Sequence, residues 1–357
     1  MKKLVLLSVT LLFALVLGAC EGSSSDEIKV GFIYIGHVGD GGFTYSHDQG
    51  RLYLEQQLDV ETKYVEAVPE SSEVKDRMRE LIDQGYNVII ANSFGYMDYV
   101  EELSKEYPDV KFLHCSGYKT TDNMGNYFGR IYQARYLTGI VAGLKTQTNK
   151  IGYVAAFGIP EVVRGINAFT LGVRSVNPDA TVEVTWTNTW YNPTVERQAA
   201  DALLDKGVDV IAQHQDTPEP QKAAEQRGVF AVGYHSDMND YAPDAHLVSA
   251  VWNWGPYYVD QVSMIQEGTW ETGSYWGGID EAIVDITNLS KNATDDAEST
   301  VNDIYNDMKN GEFTVFSGEI KKQDGTIAVE SDETLSDEEL LSMNWFVEGV
   351  IGTIPSD

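Results

Sequence analysis

The sequence predicts an α/β protein with two similar lobes, each built around a parallel β-sheet. Short apolar strands alternate with helical segments along most of the chain, which is typical of parallel sheets with right-handed crossovers. The same order of elements recurs about 120 residues further along, which indicates two copies of one structural unit. A length of 357 residues also suits two domains better than a single core.

The first unit contains four predicted strands and three predicted helices. Gly85 is expected to end the second helix, because glycine readily adopts the left-handed conformation of a helix C-cap. In chain order we predict strands at 30–35, 62–68, 87–91 and 111–115, with helices at 45–58, 73–84 and 96–107 between them.

The second unit repeats this order with little identity between the two copies. The segments 150–156, 181–187 and 209–212 correspond to 29–35, 61–67 and 87–90, at offsets of 121, 120 and 122 residues. A fourth strand follows at 228–234, and Gly207 takes the place of Gly85. The C-terminal part is less regular, with helices predicted at 256–268, 297–310 and 337–343 and short strands at 282–286, 313–316 and 319–321.

The N-terminus has the features of an export signal. Lys2 and Lys3 precede an apolar run at 4–17, and small residues follow before Cys20. This order is that of a secretory signal peptide, and Leu17-Gly18-Ala19-Cys20 resembles a bacterial lipobox, in which the cysteine carries lipid. The apolar run is shorter than the ~20 residues of a transmembrane helix. We expect a lipoprotein signal peptide at 1–20, a flexible tether at 21–28 and an extracytoplasmic body anchored to the membrane through Cys20. A plain signal peptide or an N-terminal anchor is the alternative.

Charge and cysteine content exclude several classes of protein. The net charge is −30, which disfavours nucleic-acid binding because that binding depends on Lys and Arg neutralising phosphates. With Cys20 lipidated, Cys115 is left alone and no internal disulfide can form. We expect a monomer with no nucleic-acid partner.

Candidate binding residues follow the predicted strands, because open parallel sheets bind ligands beyond the carboxyl ends of their strands. These residues are mainly aromatic, amide and carboxylate side chains with few cations, a set that favours a flat small molecule over a phosphate. The candidates are Asp40, Phe43, Thr44, Tyr45, Ser93, Phe94, Tyr118, Trp190, Gln215, His235, Asp237, Trp252 and Asn253.

Catalytic and cofactor motifs are weak by comparison. The glycines at 36, 39, 41 and 42 do not form G-x-G-x-x-G, and no H-E-x-x-H or G-x-S-x-G is present. A metal site between His214, Asp216 and His235 stays geometrically open. We expect no cofactor and no enzymatic activity, with a surface hydrolase acting on nucleosides as the disfavoured alternative.

Several longer runs carry a family resemblance: VGDGGFTYSHDQG at 38–50, SFGYMD at 93–98, YFGRIYQARYL at 127–137, PEVVRGINAF at 160–169, QHQD at 213–216 and VWNWGPYY at 251–258. On these runs the chain resembles the basic membrane protein (BMP) family of substrate-binding lipoproteins, which is similar to purine nucleoside receptors of ABC importers. The resemblance implies a type I periplasmic-binding-protein fold, two Rossmann-like lobes that a hinge joins. It also implies an ABC permease as partner. We place lobe 1 at 29–146 plus 253–273 and lobe 2 at 147–252 plus 274–357.

The resemblance also implies residue roles. Phe43 would stack on a purine base, Asp40 would read the edge of the base, and Asp237 would bind ribose hydroxyls. The chain departs from the family pattern at Thr44, where Asn is usual, at 116–118, where an Asp is usual, and at 252–254, where a Lys is usual. The expected ligand is therefore a purine-like nucleobase or nucleoside, or another flat heterocycle. Delivery to a permease is the expected function, and ligand sensing for a signalling partner is the alternative.

Overall fold

The computed structural model describes residues 27–355, so Cys20 and the predicted leader lie outside the described residues. The first part of the chain forms a parallel sheet with helices between its strands. In chain order these elements are β1 (Lys29–Ile33), α1 (Phe43–Gln57), β2 (Glu61–Val65), α2 (Glu73–Asp83), β3 (Val88–Ala91), α3 (Met97–Glu106), β4 (Lys111–Cys115) and β5 (Met124–Gly129).

The next part of the chain builds a second parallel sheet by the same alternation. Its elements are α4 (Ile131–Lys145), β6 (Lys150–Ala155), α5 (Pro160–Val176), β7 (Thr181–Trp186), α6 (Pro193–Leu204), β8 (Val210–His214), α7 (Glu219–Gln226), β9 (Phe230–His235) and β10 (His246–Trp252). The predicted repeat of one structural unit is therefore confirmed.

The remaining elements return to both lobes. They are α8 (Trp254–Glu267), β11 (Ser274–Gly277), β12 (Val284–Ile286), α9 (Ala297–Lys309), β13 (Ile320–Lys321), β14 (Ile327–Val329), α10 (Asp337–Leu341) and β15 (Val350–Ile351). No strand forms at 313–316, so that prediction was wrong. Two of its apolar side chains, Val315 and Phe316, are buried in the core without strand pairing.

The two sheets have matching strand orders, β11-β5-β4-β3-β1-β2 and β12-β10-β9-β8-β6-β7-β15. In each sheet the first strand of the unit lies between its second and third strands, and all of these pairs are parallel. The central strands are buried along their whole length, as β-branched runs covered by helices on both faces should be. The order changes direction at β1 and β6, which places a crevice at the carboxyl ends of these strands.

The lobe boundaries differ from those expected from the sequence. Helix α4 packs on α5 and β10 of the second sheet, so the chain leaves the first lobe near Arg130 rather than at 146. Strand β11 pairs with β5, so the first lobe continues to Gly277 rather than 273. The sequence could not locate these crossings because α4 follows β5 without a composition change.

Local sequence signals account for several element ends. Gly85 and Gly207 take positive φ values of 91° and 84° after α2 and α6, as their predicted capping role requires. The side chain of Asn192 accepts the backbone N–H of Val195 and caps the start of α6. Among residues 27–355, no helix is both long and apolar enough to span a bilayer.

Candidate ligand-binding site

A small chamber lies between the lobes at the carboxyl ends of the strands. Its open volume is about 20 Å³, room for about one water molecule, so a larger ligand enters only when the lobes move apart. The first lobe lines it with Ile35, Phe43, Ser93, Phe94 and Ser116, and the second with Glu161, Trp190, His214, Asp216 and His235.

The loop after β1 positions the aromatic part of the first wall. Phe43 is the first residue of α1, and its ring packs edge-on against His47 at 4.5 Å between centroids. Asp40 fixes this helix start, since its carboxylate accepts the backbone N–H groups of Gly42, Thr44 and Tyr45 at 2.7, 3.1 and 2.9 Å. Three backbone donors thus use Asp40, and it does not line the chamber.

The opposite wall carries a hydrogen-bonded chain of three side chains. The indole Nε1–H of Trp252 donates to Nδ1 of His235 at 2.9 Å, so the ring proton of neutral His235 lies on Nε2. That nitrogen donates to Oδ1 of Asp216 at 3.1 Å. The other carboxyl oxygen of Asp216, Oδ2, is buried and has no hydrogen-bond partner among the described residues.

Burial governs the protonation of this wall. Burial raises the pKa of Asp216 well above its usual range, and the nearby Asp40 and Glu196 carboxylates raise it further. Burial also lowers the pKa of His235 well below its usual value, which keeps the ring neutral. Burial therefore opposes a negative charge on Asp216 in the empty chamber, and a ligand N–H that reaches its Oδ2 would favour the ionised carboxylate.

Two chamber residues have strained backbones at equivalent places in the two units. Ser116 directly follows β4 with φ of 63°, and His235 ends β9 with φ of 70°. A non-glycine residue in this left-handed backbone conformation costs of order 1–3 kcal/mol, and such residues cluster at functional sites. Both residues lie where a strand ends, and the side chains of both line the chamber.

The lobes are closed on each other around the chamber. Ser236 Oγ donates to the carbonyl of Gly41 across the cleft. A Cβ at Gly42 would lie 2.2 Å from the carbonyl oxygen of Asp216, so glycine is required where the two backbones meet. The Phe43 and His235 rings also meet across the cleft, with centroids 5.2 Å apart.

Five of the residues proposed from the sequence meet in the chamber: Phe43, Ser93, Phe94, Trp190 and His235. Two others support it from behind, Asp40 through α1 and Trp252 through His235. Thr44 and Gln215 are buried, and their side chains form hydrogen bonds with the backbone. Thr44 Oγ1 accepts from Gly36 N, and the Gln215 amide donates to the Thr189 carbonyl.

The remaining four proposed residues lie outside the chamber, so their ligand roles need correction. Tyr118 is 69% exposed and Tyr45 36% exposed, because both side chains point to the surface. Asp237 is exposed and accepts the backbone N–H of Asn239 instead of facing the cleft. Asn253 is exposed too, and its amide donates to the Ala282 carbonyl.

Five chamber residues were missing from the proposed ligand set: Ile35, Ser116, Glu161, His214 and Asp216. Each is the last residue of a predicted strand or close after one, so the strand-exit signal could have found them. His214 and Asp216 lie in the run 213–216 that carries the family resemblance, but the only role considered for them was that of metal ligands. Among residues 27–355 no group of three or more His, Cys, Asp or Glu side chains has an arrangement that could hold a metal ion.

Comparison with known proteins identifies the family. The family model for ABC transporter substrate-binding proteins of the PnrA-like Bmp type matches residues 27–319. This chain is a member of the Bmp family. Substrate-binding proteins of ABC transporters bind small molecules and are not enzymes.

Two relatives and one solved structure show what this chain is similar to. A purine-binding protein of Brucella abortus is 42% identical over 93% of this chain and 95% of its own length. A putative ABC transporter glucose-binding protein of Haloferax volcanii is 41% identical over 94% of this chain and 83% of its own. An ABC transporter solute-binding protein of Aeropyrum pernix has the same fold, with a TM-score of 0.71 at 20% identity, over 88% of this chain and 97% of that one.

Proposed function

We propose that this Bmp-family protein captures a purine-like nucleobase or nucleoside between its lobes and delivers it to an ABC permease. The observation that carries the proposal is the free Oδ2 of Asp216 in a chamber walled by Phe43 and Trp190. A buried carboxyl oxygen without a partner is costly. A ligand whose N–H group reaches this oxygen removes that cost on binding.

The chamber favours a flat heterocycle for two physical reasons. Aromatic side chains attract flat rings through offset-stacked or edge-on contacts, and the rings of Phe43, Phe94 and Trp190 all line this space. Ring N–H and amino groups lie in the plane of a purine, where a carboxylate at the edge can accept them. The small chamber favours a compact ligand, which the lobes would enclose after opening to admit it.

The relatives support the ligand class and also provide a second candidate. The Brucella relative is named for purine binding, whereas the Haloferax relative of almost equal identity is named as a putative glucose-binding protein. A hexose presents a hydroxyl on nearly every ring carbon, and each hydroxyl needs a partner when buried. Six of the ten chamber side chains are polar or ionisable, enough to serve either ligand, so the preference for a purine rests on the aromatic rings of Phe43, Phe94 and Trp190.

Membrane anchoring is part of the proposal. The lipobox-like sequence ending at Cys20 supports a lipid anchor that holds the protein beside a permease, outside the cytoplasm. Replacing Cys20 by Ser should release the protein from the membrane fraction. A variant that stays in that fraction after salt washing would contradict lipid anchoring.

Thermal-shift screening of the soluble body, residues 27–357, tests the ligand. Adenine, guanine, adenosine, guanosine and glucose would be compared at equal concentrations, followed by calorimetry on every hit. A ligand at 100 times its Kd stabilises a protein by ~2.7 kcal/mol, which gives a clear shift. Stabilisation by glucose alone would replace the purine with the second candidate, and no shift with any purine would refute the ligand assignment.

A further inference from the structure

A cationic side chain lies buried behind the chamber without a counter-charge. Arg135 on α4 is fully buried, and no carboxylate oxygen comes within 4.0 Å of its guanidinium among residues 27–355. Its Nη1 donates to the carbonyl of Gln213 at 2.7 Å, and its guanidinium carbon lies 3.4 Å from the ring centroid of Tyr234. Its Nε and Nη2 have no hydrogen-bond partner. An uncompensated buried charge costs several kcal/mol.

Two more buried polar atoms that lack partners among residues 27–355 lie near the Arg135 side chain, whose guanidinium carbon is 5.7 Å from the ring centroid of Tyr153. The hydroxyl of Tyr153 on β6 and Nδ1 of His214 at the end of β8 are both unpartnered. These side chains converge on Gly165 of α5. A Cβ built on Gly165 would lie 3.8 Å from His214 Nδ1, 3.9 Å from the Tyr153 hydroxyl and 4.0 Å from Arg135 Cγ. The chain therefore has no side chain at the point where these polar groups meet.

We propose that a small monovalent anion of the size of chloride binds beside Gly165, held by Arg135, Tyr153 and His214. The guanidinium and the phenol supply N–H and O–H donors, and the arginine supplies the fixed positive charge that an anion balances. A water molecule at the same place would fill hydrogen bonds but would leave the charge uncompensated. This site shares His214 with the ligand chamber but does not depend on the proposed ligand.

The anion also sets the tautomer of a chamber residue. His214 Nε2 lies 3.5 Å from the Tyr234 hydroxyl and 3.4 Å from Glu161 Oε1 on the chamber side. Without an anion, Nε2–H can donate to Glu161 Oε1; with an anion beside Nδ1, the ring carries its proton on Nδ1, Nε2 accepts from Tyr234 and the hydrogen bond to Glu161 is lost. The anion therefore determines whether His214 presents a lone pair or an N–H toward the chamber.

Bromide diffraction tests the position directly. Crystals of the protein grown or soaked in sodium bromide should give an anomalous peak within hydrogen-bonding distance of the Arg135 and Tyr153 side chains. Gly165→Ala places a methyl group at that point, in ordinary contact with its neighbours, and should abolish the peak. Crystals that show ordered bromide elsewhere but none beside Gly165 would overturn the proposal, as would a peak that persists in Gly165→Ala.

Thermal melting in solution provides an independent readout. The melting temperature of the wild-type protein should rise with chloride when gluconate is exchanged for chloride at constant ionic strength, and the rise should saturate. Gly165→Ala should lose most of this rise. Gly273→Ala is the matched control, because a Cβ there meets no atom within 4 Å and the residue lies on the surface. A wild-type melting temperature that is equal in both salts would contradict the proposal.

The variant Tyr153→Phe distinguishes a bound anion from a buried hydroxyl that simply lacks a hydrogen-bond partner. If the anion is bound, removing the hydroxyl weakens chloride binding, and the saturating rise moves to at least threefold higher chloride. If no anion is bound, the variant only removes a buried unpartnered hydroxyl, so it melts higher by the same amount in chloride and in gluconate. That second result would refute the anion site.

Discussion

Two buried aspartates face the cleft from opposite lobes, and they have opposite hydrogen-bonding states. Asp40 is 5% exposed and gives its oxygens to three backbone N–H groups at the start of α1. Asp216 is 2% exposed and has one partner, His235, while its Oδ2 has none. Equal burial therefore hides a difference in function, because a satisfied carboxylate holds a loop and an unsatisfied one awaits a ligand.

The same contrast extends to the two lobes. The first lobe contributes aromatic rings that neighbouring residues hold in place. Phe43 packs against His47, and Asp40 caps the helix that begins at Phe43. The second lobe contributes the polar atoms, with Asp216 and His235 joined to Trp252. When the lobes close, the aromatic rings of the first lobe meet the polar side chains of the second. A flat ligand with N–H groups at its edge needs both, which gives closure its selectivity.

Asp216→Asn should produce the largest effect, a loss of affinity for adenine of about 30-fold. The variant keeps the shape but cannot take up the negative charge that a ligand N–H would favour, and a hydrogen bond to a charged group contributes about 2 kcal/mol. Isothermal titration calorimetry at pH 7.5 would measure it. Asp40→Asn is the matched control and should change affinity by less than threefold, since Asp40 does not line the chamber. Equal losses in both variants would contradict the distinction between the two aspartates.

Asp40→Ala should destabilise the protein by about 1.5 kcal/mol. Three backbone N–H groups at the start of α1 lose their acceptor, and loss of a helix cap costs roughly this amount. Urea unfolding followed by circular dichroism would give the free energy of unfolding. Asp216→Asn should be neutral or stabilising in the same assay, because it relieves a buried carboxyl group that has one free oxygen. A more stable Asp40→Ala would show that the cap contributes nothing.

Phe43→Ala should weaken adenine binding more than tenfold without preventing folding. The ring is part of the chamber wall and packs against His47 and His235, so its loss removes apolar contact area for the ligand. Calorimetry measures the affinity, and circular dichroism checks the fold. Tyr118→Ala is the control, because its exposed side chain lies away from the chamber and binding should be unchanged. Unaltered affinity in Phe43→Ala would remove Phe43 from the site.

The fold was largely predictable from the sequence because strand and helix periodicity and the capping glycines are local signals. The four strands of the first unit and the repeat of its order are confirmed. The lobe crossings were misplaced, since whether α4 packs on the first or the second sheet depends on contacts with α5 and β10. Those contacts are not encoded in any short stretch of sequence.

The site was predictable only as a set of strand exits. The residues after the strands include Phe43, Trp190 and His235, which the structure brings together because the carboxyl ends of parallel strands meet in one crevice. The choice between Asp40 and Asp216 could not be made from the sequence. It depends on which carboxyl oxygens the backbone already uses, a property of the folded loop rather than of residue type.

The smallest predicted effect is a pH dependence of stability that Asp40 alone causes. Burial raises the pKa of Asp40 from 3.8 to about 6, although its three backbone donors oppose this shift. Between these values the folded state binds more protons than the unfolded chain, so the contribution of Asp40 to stability is highest in acid and falls as pH rises. Asp40→Asn lacks this titration.

The free energy of unfolding of wild type minus that of Asp40→Asn should therefore fall by about 1 kcal/mol between pH 5 and pH 7. Urea titrations of both proteins across this range give the difference, and titrations that the two proteins share, such as those of the buried histidines, cancel from it. A difference that rises with pH would mean that the three N–H donors outweigh burial. In that case the charged form of Asp40 is the favoured one in the fold, and Asp216 is the only one of the two whose surroundings as a whole oppose ionisation.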